Sequence, residues 1–439
     1  MSILSDARQL SHEEAVALRK ASVASFIGNF VEWFDYATYG YLAVVIGSVF
    51  FPSEDKTIAL LSTYAVFAIS FILRPIGGII WGAIGDRLGR RFALAWSILI
   101  MSGATFVIGC LPGYATIGIA SPILLILVRM IQGFSASGEY AGAATFLSEY
   151  APTHRRGMYT SIVPGSTATG LLAGSLISAL LTWGLTPDQL ATWGWRIPFL
   201  LAGPLGLVGR YVRVHLEDSP VYVEMMNKIS NKDVDVPNPF KELFRHHKKE
   251  FFIALGVSCL NAVGFYIILS YMPVYLATER HVPQAGSLLA ATVSTLVYIL
   301  SIFFMGHISD MLGRRKMLLI ASLLFVFLSV PLFTLLDAGH IGLILLTQVL
   351  FGIMLTTNDG TLATFLSELF PTNIRYTGFA FSFNTANAIF GGTAPFISTW
   401  LIKETGSVYA PAFFLAVAGI VALVAIIASK ETAFKNLKH

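Results

Sequence analysis

The chain has 439 residues, of which 55% are hydrophobic and 12% charged, with a formal net charge of +4 and a mean hydropathy of +0.71. Soluble globular domains carry about 25% charged residues, so that class is excluded, and the length leaves room for many membrane helices of about 20 residues each. The positive charge lies in loops, which bears on membrane orientation and argues against nucleic acid as a partner.

In chain order, polar residues continue through Lys20, so no cleavable signal is read. Ser11-His12-Glu13-Glu14 is expected to cap a short surface helix. Apolar runs then predict helices near 22–48, 60–84, 92–113, 119–149, 157–182, 196–215, 250–277, 287–309, 316–337, 341–369, 376–402 and 408–429. The expected fold class is therefore all-α membrane protein, with twelve transmembrane helices in two six-helix bundles. The divisions are an N-terminal segment 1–21, a bundle 22–215, a linker 216–249, a second bundle 250–429 and a tail 430–439. The linker carries the basic cluster Arg245–Lys249 and is too short and polar for a catalytic domain. Cys110 and Cys259 lie in apolar runs, and no disulfide, metal site, nucleophile triad or cofactor motif is read.

One set of loops holds Arg19, Lys20, Arg87, Arg90, Arg91, Arg155, Arg156, Arg314, Arg315, Lys316 and Arg375, together with the linker and the tail lysines Lys430, Lys435 and Lys438. The other side has little beyond Lys56, Arg196, Arg280 and Lys403. The first set is expected to face the cytoplasm, with both termini inside.

A short turn occurs twice. Gly82–Arg91 reads GAIGDRLGRR and Gly306–Arg315 reads GHISDMLGRR, with Asp86 and Asp310 separated by 224 residues. ATFLSE also occurs twice, at Ala144–Glu149 and Ala363–Glu368, with an offset of 219; each copy is followed by Pro-Thr and an arginine, Arg156 or Arg375. Two echoes at half the chain length point to a duplicated membrane protein.

Ionisable residues inside membrane helices are costly and are functional candidates by default. Helix 1 carries Asn29, Glu32, Trp33, Asp35, Tyr36 and Tyr39 at spacings that place two carboxyls one turn apart. They suit a proton carrier, because apolar surroundings favour the neutral form of a carboxyl; the plainer reading is a salt bridge from helix 1 to Arg74. Arg74 lies eight residues before Gly82 and Glu139 ten before Glu149, so both sit roughly 12–15 Å from the cytoplasmic helix ends. Glu32, Arg74 and Glu139 are thus expected near one layer, with Arg129 roughly 15 Å further outward. The 219 offset maps Glu139 onto Asn358, beside Asp359. A division of labour follows: Glu32, Asp35 and Glu139 for proton coupling, and Asn358, Asp359, Asn384 and Asn387 for substrate. Trp33, Tyr36, Tyr39 and Tyr266 could form a cation–π cage or ordinary core. Tyr271 and Tyr275 fit an interface belt, and Trp193–Phe199, WGWRIPF, an outer anchor.

The paired turns and two six-helix halves resemble the major facilitator superfamily over essentially the whole chain. GNFVEWFDYATYG (Gly28–Gly40), FILRPIGG (Phe71–Gly78), QGFSASGEYAGA (Gln132–Ala143), WGWRIPF and IFGGTAPFISTWL (Ile389–Leu401) are similar to the metabolite:proton symporter family. FYIILSYMPVYL (Phe265–Leu276) and the helix 1 and 4 segments look most like proline/glycine betaine transporters.

The resemblance implies a monomeric, multi-pass transporter of the bacterial inner membrane, importing a small polar metabolite with protons. A zwitterionic osmolyte is the expected substrate. The rivals are an organic acid of the 2-oxoglutarate, citrate or shikimate type, clamped by Arg74 or Arg129, and a membrane sensor that does not transport. The resemblance also implies a cytoplasmic gate of Asp86, Arg90, Arg91, Asp310, Arg314 and Arg315. Met311 stands where the first turn has Arg87.

Overall fold

A computed structural model of the chain describes residues 11–51, 62–63, 65–66, 69–230 and 238–437. Lys56, Lys438, the first ten residues of the predicted N-terminal segment and the middle of the predicted linker lie outside these residues. Every regular element among the described residues is helical.

The first half holds α1 (His12–Tyr41), α2 (Arg74–Arg87), α3 (Arg90–Cys110), α4 (Ala120–Tyr150), α5 (Thr153–Gly184) and α6 (Pro187–Val214). The second holds α7 (Lys248–Thr278), α8 (Ala285–Leu312), α9 (Arg314–Leu335), α10 (Ile341–Leu369), α11 and α12 (Ala410–Ile427). Here α11 runs Arg375–Ala386, widens into a π-type turn at Asn387–Gly391 and resumes at Ala394–Thr405. Short helices Pro220–Ser230 and Pro239–His246 lie in the connection between halves.

Nine helices among the described residues, α3 to α10 and α12, are long and apolar enough to cross a membrane. The other three fall short for identifiable reasons. Asn29, Glu32 and Asp35 make α1 too polar, α2 is described as a helix of 14 residues, and the break in α11 leaves pieces of 12 residues. Apolar side chains on the outer surface, among them Leu300, Phe304, Phe327 and Val424, stay exposed, as expected where lipid is the solvent.

The capping box at Ser11 is formed, with Ser11 Oγ accepting from the Glu14 N–H and the Glu14 carboxylate accepting from the Ser11 N–H. The expected short surface helix does not end there. It continues without interruption into α1, because Leu18, Ala21 and Ala24 carry a buried apolar face straight into the bundle.

Within the first half α1 packs on α5 and α6, and α3 on α6; within the second, α8 packs on α10, and α12 on α7 and α9. The halves meet through α2 against α11 and α5 against α8. These two crossings are equivalent under the internal repeat, and both depend on glycine. A Cβ on Gly82 would lie 2.5 Å from Thr377 Cα, and one on Gly306 would lie 2.6 Å from the Gly157 carbonyl oxygen. Backbones this close admit no side chain between them. Gly306→Val is therefore expected to cost about 1–3 kcal/mol of stability in this arrangement, seen as a lower melting midpoint in detergent. An unchanged melt would show that this contact does not hold the halves together.

Gly89 and Gly313, in the two repeated turns, have φ of +106° and +98°. That left-handed backbone explains why each turn keeps a glycine immediately before its arginine pair.

Candidate functional site

Polar residues of α1 fan out to three neighbours. Glu32 Oε1 accepts from Arg74 Nη2 at 2.7 Å, with both groups buried. One turn outward, Asp35 Oδ2 accepts from Arg129 Nη1 at 2.9 Å and from Gln132 Nε2 at 2.6 Å. Arg129 also stacks over the Tyr39 ring, 3.5 Å from its centroid. One turn inward, Asn29 Nδ2 donates to Val163 O, Ser166 Oγ and Thr167 Oγ1, binding α1 to α5. Asn29 therefore serves helix packing here, apart from the aromatic side chains with which it was grouped.

Glu139 follows a bend in α4 between Ala136 and Glu139. Its carboxylate pairs with Arg213 from the last turn of α6, with one contact at 2.8 Å, and accepts from Ser97 Oγ at 3.3 Å. A Cβ on Gly28 would strike it, so Glu139 lies against α1 one turn inward of Glu32. Arg213 was not foreseen. It lies 74 residues from Glu139 on another helix, and no spacing along either helix links the two.

The bend frees backbone carbonyls, which a membrane interior requires to be paired. Trp81 Nε1 donates to Phe134 O at 3.2 Å, Asn384 Nδ2 to Ser137 O at 2.8 Å, and Tyr376 Oη to Gly138 O at 2.5 Å. Two of these donors belong to α11, so the second half braces the bend in the first. Asn384 Nδ2 also donates to Ala380 O at 2.8 Å.

Above the Glu32–Arg74 pair lies an aromatic cluster shared by both halves. Trp33 packs on Phe265 and Tyr266 with centroids 5.0 and 6.2 Å away, and Phe71 lies 5.8 Å from both Tyr36 and Tyr266. The Arg74 guanidinium sits 5.0 Å from the Tyr36 centroid and 4.8 Å from that of Phe71. Trp33 Nε1, Tyr266 Oη, Glu32 Oε2 and Arg74 Nε are buried with no hydrogen-bond partner among the described residues. Phe71 and Phe265 were missed as site residues because an apolar ring in an apolar run carries no local signal. The cluster sits beside two wide turns, Tyr266–Tyr271 in α7 and Asn387–Gly391 in α11, a feature frequent at functional sites. A Cβ on Gly391 would meet both the Tyr266 ring and Asn387 Oδ1, which places Asn387 at the cluster.

Asn358 and Asp359 lie elsewhere, on α10. Asp359 accepts from Asn261 Nδ2 at 2.8 Å, Asn358 Nδ2 at 3.0 Å and Tyr298 Oη at 2.7 Å.

At the end bearing the repeated turns the halves are cross-linked twice. Asp86 accepts the N–H groups of Tyr376 and Thr377 at 3.1 and 2.9 Å, at the positive start of α11, and pairs with Arg90 at 2.7 Å. Glu149 holds Arg90 at 3.1 Å and Arg375 at 2.7 Å. In the second copy Asp310 accepts from the Gly157 and Met158 N–H groups at 2.7 and 2.9 Å, Arg314 pairs with Asp310 and Glu368, and Arg156 pairs with Glu368. Arg91 and Arg315 bond within their own halves, to Leu216 and Asp218 and to Glu431 and Ile426 respectively. The ATFLSE glutamates and their trailing arginines thus supply cross-links alongside Asp86 and Asp310.

The Sugar (and other) transporter family matches residues 20–235, and the Major Facilitator Superfamily matches residues 254–436. Over 426 residues the chain is 38% identical to the glycine betaine/proline/ectoine/pipecolic acid transporter OusA of Dickeya dadantii, covering 96% of this chain and 85% of that protein. It is 36% identical to the proline/betaine transporter of Escherichia coli K12 with the same coverage. Among solved structures, the proton:xylose symporter XylE bound to 6-bromo-6-deoxy-D-glucose superposes with a TM-score of 0.78 over 97% of this chain and 98% of that one, at 16% identity, a likeness of fold. The chain is a multi-pass transporter of the bacterial inner membrane, not an enzyme, and belongs to the major facilitator superfamily, in one family with these curated relatives.

Proposed function

We propose that the protein imports a zwitterionic osmolyte such as proline or glycine betaine together with protons, by alternating access. The Glu32–Arg74 pair carries this reading: a buried acid and a buried guanidinium meet beneath an aromatic cluster drawn from both halves. A betaine needs one cation for its carboxylate and aromatic faces for its ammonium. Arg74, with Trp33, Tyr36, Phe71 and Tyr266, supplies both. The curated relatives are transporters of proline and betaines, which supports the same substrate class.

The coupling follows from charge. A substrate carboxylate that takes Arg74 leaves Glu32 as an unpaired charge in a low-dielectric interior, which is strongly unfavourable. A proton on Glu32 removes that charge. Asp35 and Glu139, each balanced by one arginine, are the other carboxyls on which a proton can replace an ion pair. Tyr39 and Gln132 hold Arg129 in place, and Asn387 borders the cluster from the second half.

In this reading twelve helices cross the bilayer, α1, α2 and α11 included, and both termini face the cytoplasm. The units are the segment 1–21, the bundles 22–215 and 250–429, the linker 216–249 and the tail 430–439, and the monomer is the working unit. The doubly cross-linked end is the cytoplasmic gate, closed in this arrangement.

Uptake into proteoliposomes under an inward proton gradient tests the function, using labelled proline, glycine betaine, 2-oxoglutarate, citrate and shikimate. Gradient-driven uptake of the zwitterions alone is expected. Uptake of an acid alone would move the substrate to an anion clamped by Arg74 or Arg129, and no counterflow of any substrate would favour a sensor. Trp33→Leu and Tyr266→Leu are each expected to raise KM for betaine about 10–30-fold, matching about 1.5–2 kcal/mol for a desolvated cation–π contact. An unchanged KM would remove the cage from the substrate site.

A further inference from the structure

The buried carboxyls of the two halves are built differently. Glu32, Asp35 and Glu139 each face an arginine, as do Asp86, Glu149, Asp310 and Glu368 at the gate. Asp359 is equally buried yet pairs with no cation among the described residues. The groups around it are Asn261 on α7, Tyr298 on α8, its neighbour Asn358 on α10, and Tyr140 on α4 from the first half. None of these carries a positive charge in any protonation state.

The shell serves both states of the acid. Three donors, two on Oδ1 and one on Oδ2, satisfy the ionised carboxylate. For the protonated acid, two of the three can reverse role. A tyrosine hydroxyl accepts as readily as it donates, and an asparagine that turns its amide over presents an oxygen where its nitrogen stood. Among the described residues Asn358 Oδ1 has no partner, so that turn breaks no existing bond to it, and the Tyr140 hydroxyl has none either. Tyr140 stacks on Phe383 of α11 with centroids 4.5 Å apart. The acid therefore lies where α4 of one half meets α10 and α11 of the other, and these surfaces must part when the gate opens.

We propose that Asp359 is a second protonation site, in the half opposite Glu32, neutral while the loaded halves turn inward and ionised, held by its three donors, while the empty carrier returns. This rests on the proton-coupled reading above and adds to it a carboxyl that has no arginine partner, among the described residues, for the substrate to take. Asp359 takes a proton from the outward side and returns it to the cytoplasm. Asn261, Tyr298 and Asn358 are its positioning residues, and no other group changes its covalent state.

The test uses the full chain in proteoliposomes with labelled betaine. Asp359→Asn, a permanent mimic of the neutral acid, is expected to keep counterflow within about twofold of wild type and to lose at least about tenfold in gradient-driven accumulation. Asp359→Glu should restore accumulation, and Tyr298→Phe should shift the pH profile of uptake while leaving betaine KM unchanged. Gradient-driven accumulation of wild-type size in Asp359→Asn overturns the assignment. So does loss of counterflow in both Asp359→Asn and Asp359→Glu, which would make the residue structural. A wild-type protein that exchanges betaine but ignores the gradient would instead overturn the proton-coupled reading, and this inference with it.

Discussion

Arg74→Ala is expected to reduce betaine uptake by about 10²–10⁴-fold, because removing one member of a buried ion pair costs about 3–5 kcal/mol. The loss has two sources. The substrate carboxylate loses its cation, and Glu32 is left buried without one. The double variant Arg74→Ala/Glu32→Gln separates them. It removes the stranded charge, so it should regain monodisperse, well-folded protein in detergent, yet still fail to transport. Arg74→Lys keeps the charge but lacks the planar fork and the stacking over Tyr36 and Phe71, so an intermediate loss is expected, mostly in KM. Should Arg74→Ala retain wild-type kcat and KM, the substrate site is elsewhere.

Glu149→Gln is expected to open the cytoplasmic side. Glu149 joins Arg90 of its own half to Arg375 of the other and accepts from Ser219. A neutral amide there leaves two buried arginines without their shared counter-charge. A penalty of about 3–5 kcal/mol is a large part of the roughly 5.5 kcal/mol that moves an equilibrium from 1:99 to 99:1. Spin labels at Arg155 and Met311, exposed at the gate ends of the two halves, read the separation directly once Cys110 and Cys259 are replaced. Wild type should show one short distance and Glu149→Gln a second, longer one. Glu368→Gln should do the same, because Glu368 holds Arg156 and Arg314 in the equivalent place. Identical distance distributions in all three proteins would show that these carboxylates do not close the gate.

Much of this protein was legible along the chain. Hydropathy marked the helical runs, since a backbone in lipid must satisfy its own hydrogen bonds and only long apolar helices do so locally. The repeated turns announced the duplication. The cost of charge in a membrane singled out Glu32, Asp35, Arg74, Arg129, Glu139 and Asp359 before any partner was known.

The partners were a different matter. Glu139 meets Arg213 across 74 residues, and Arg375 meets Glu149 across 226. Spacing along one helix says which residues share a face, but it is silent on which helix that face will meet. Asn29 and Trp33, a turn apart, went to α5 and α7 respectively. The sequence by itself determined an all-helical duplicated membrane protein and the inventory of its buried charges, because hydropathy and charge cost are properties of single residues. Only the tertiary structure decided that three acids of the first half are neutralised by arginine while Asp359 is not, because pairing depends on how helices distant in sequence come to lie side by side.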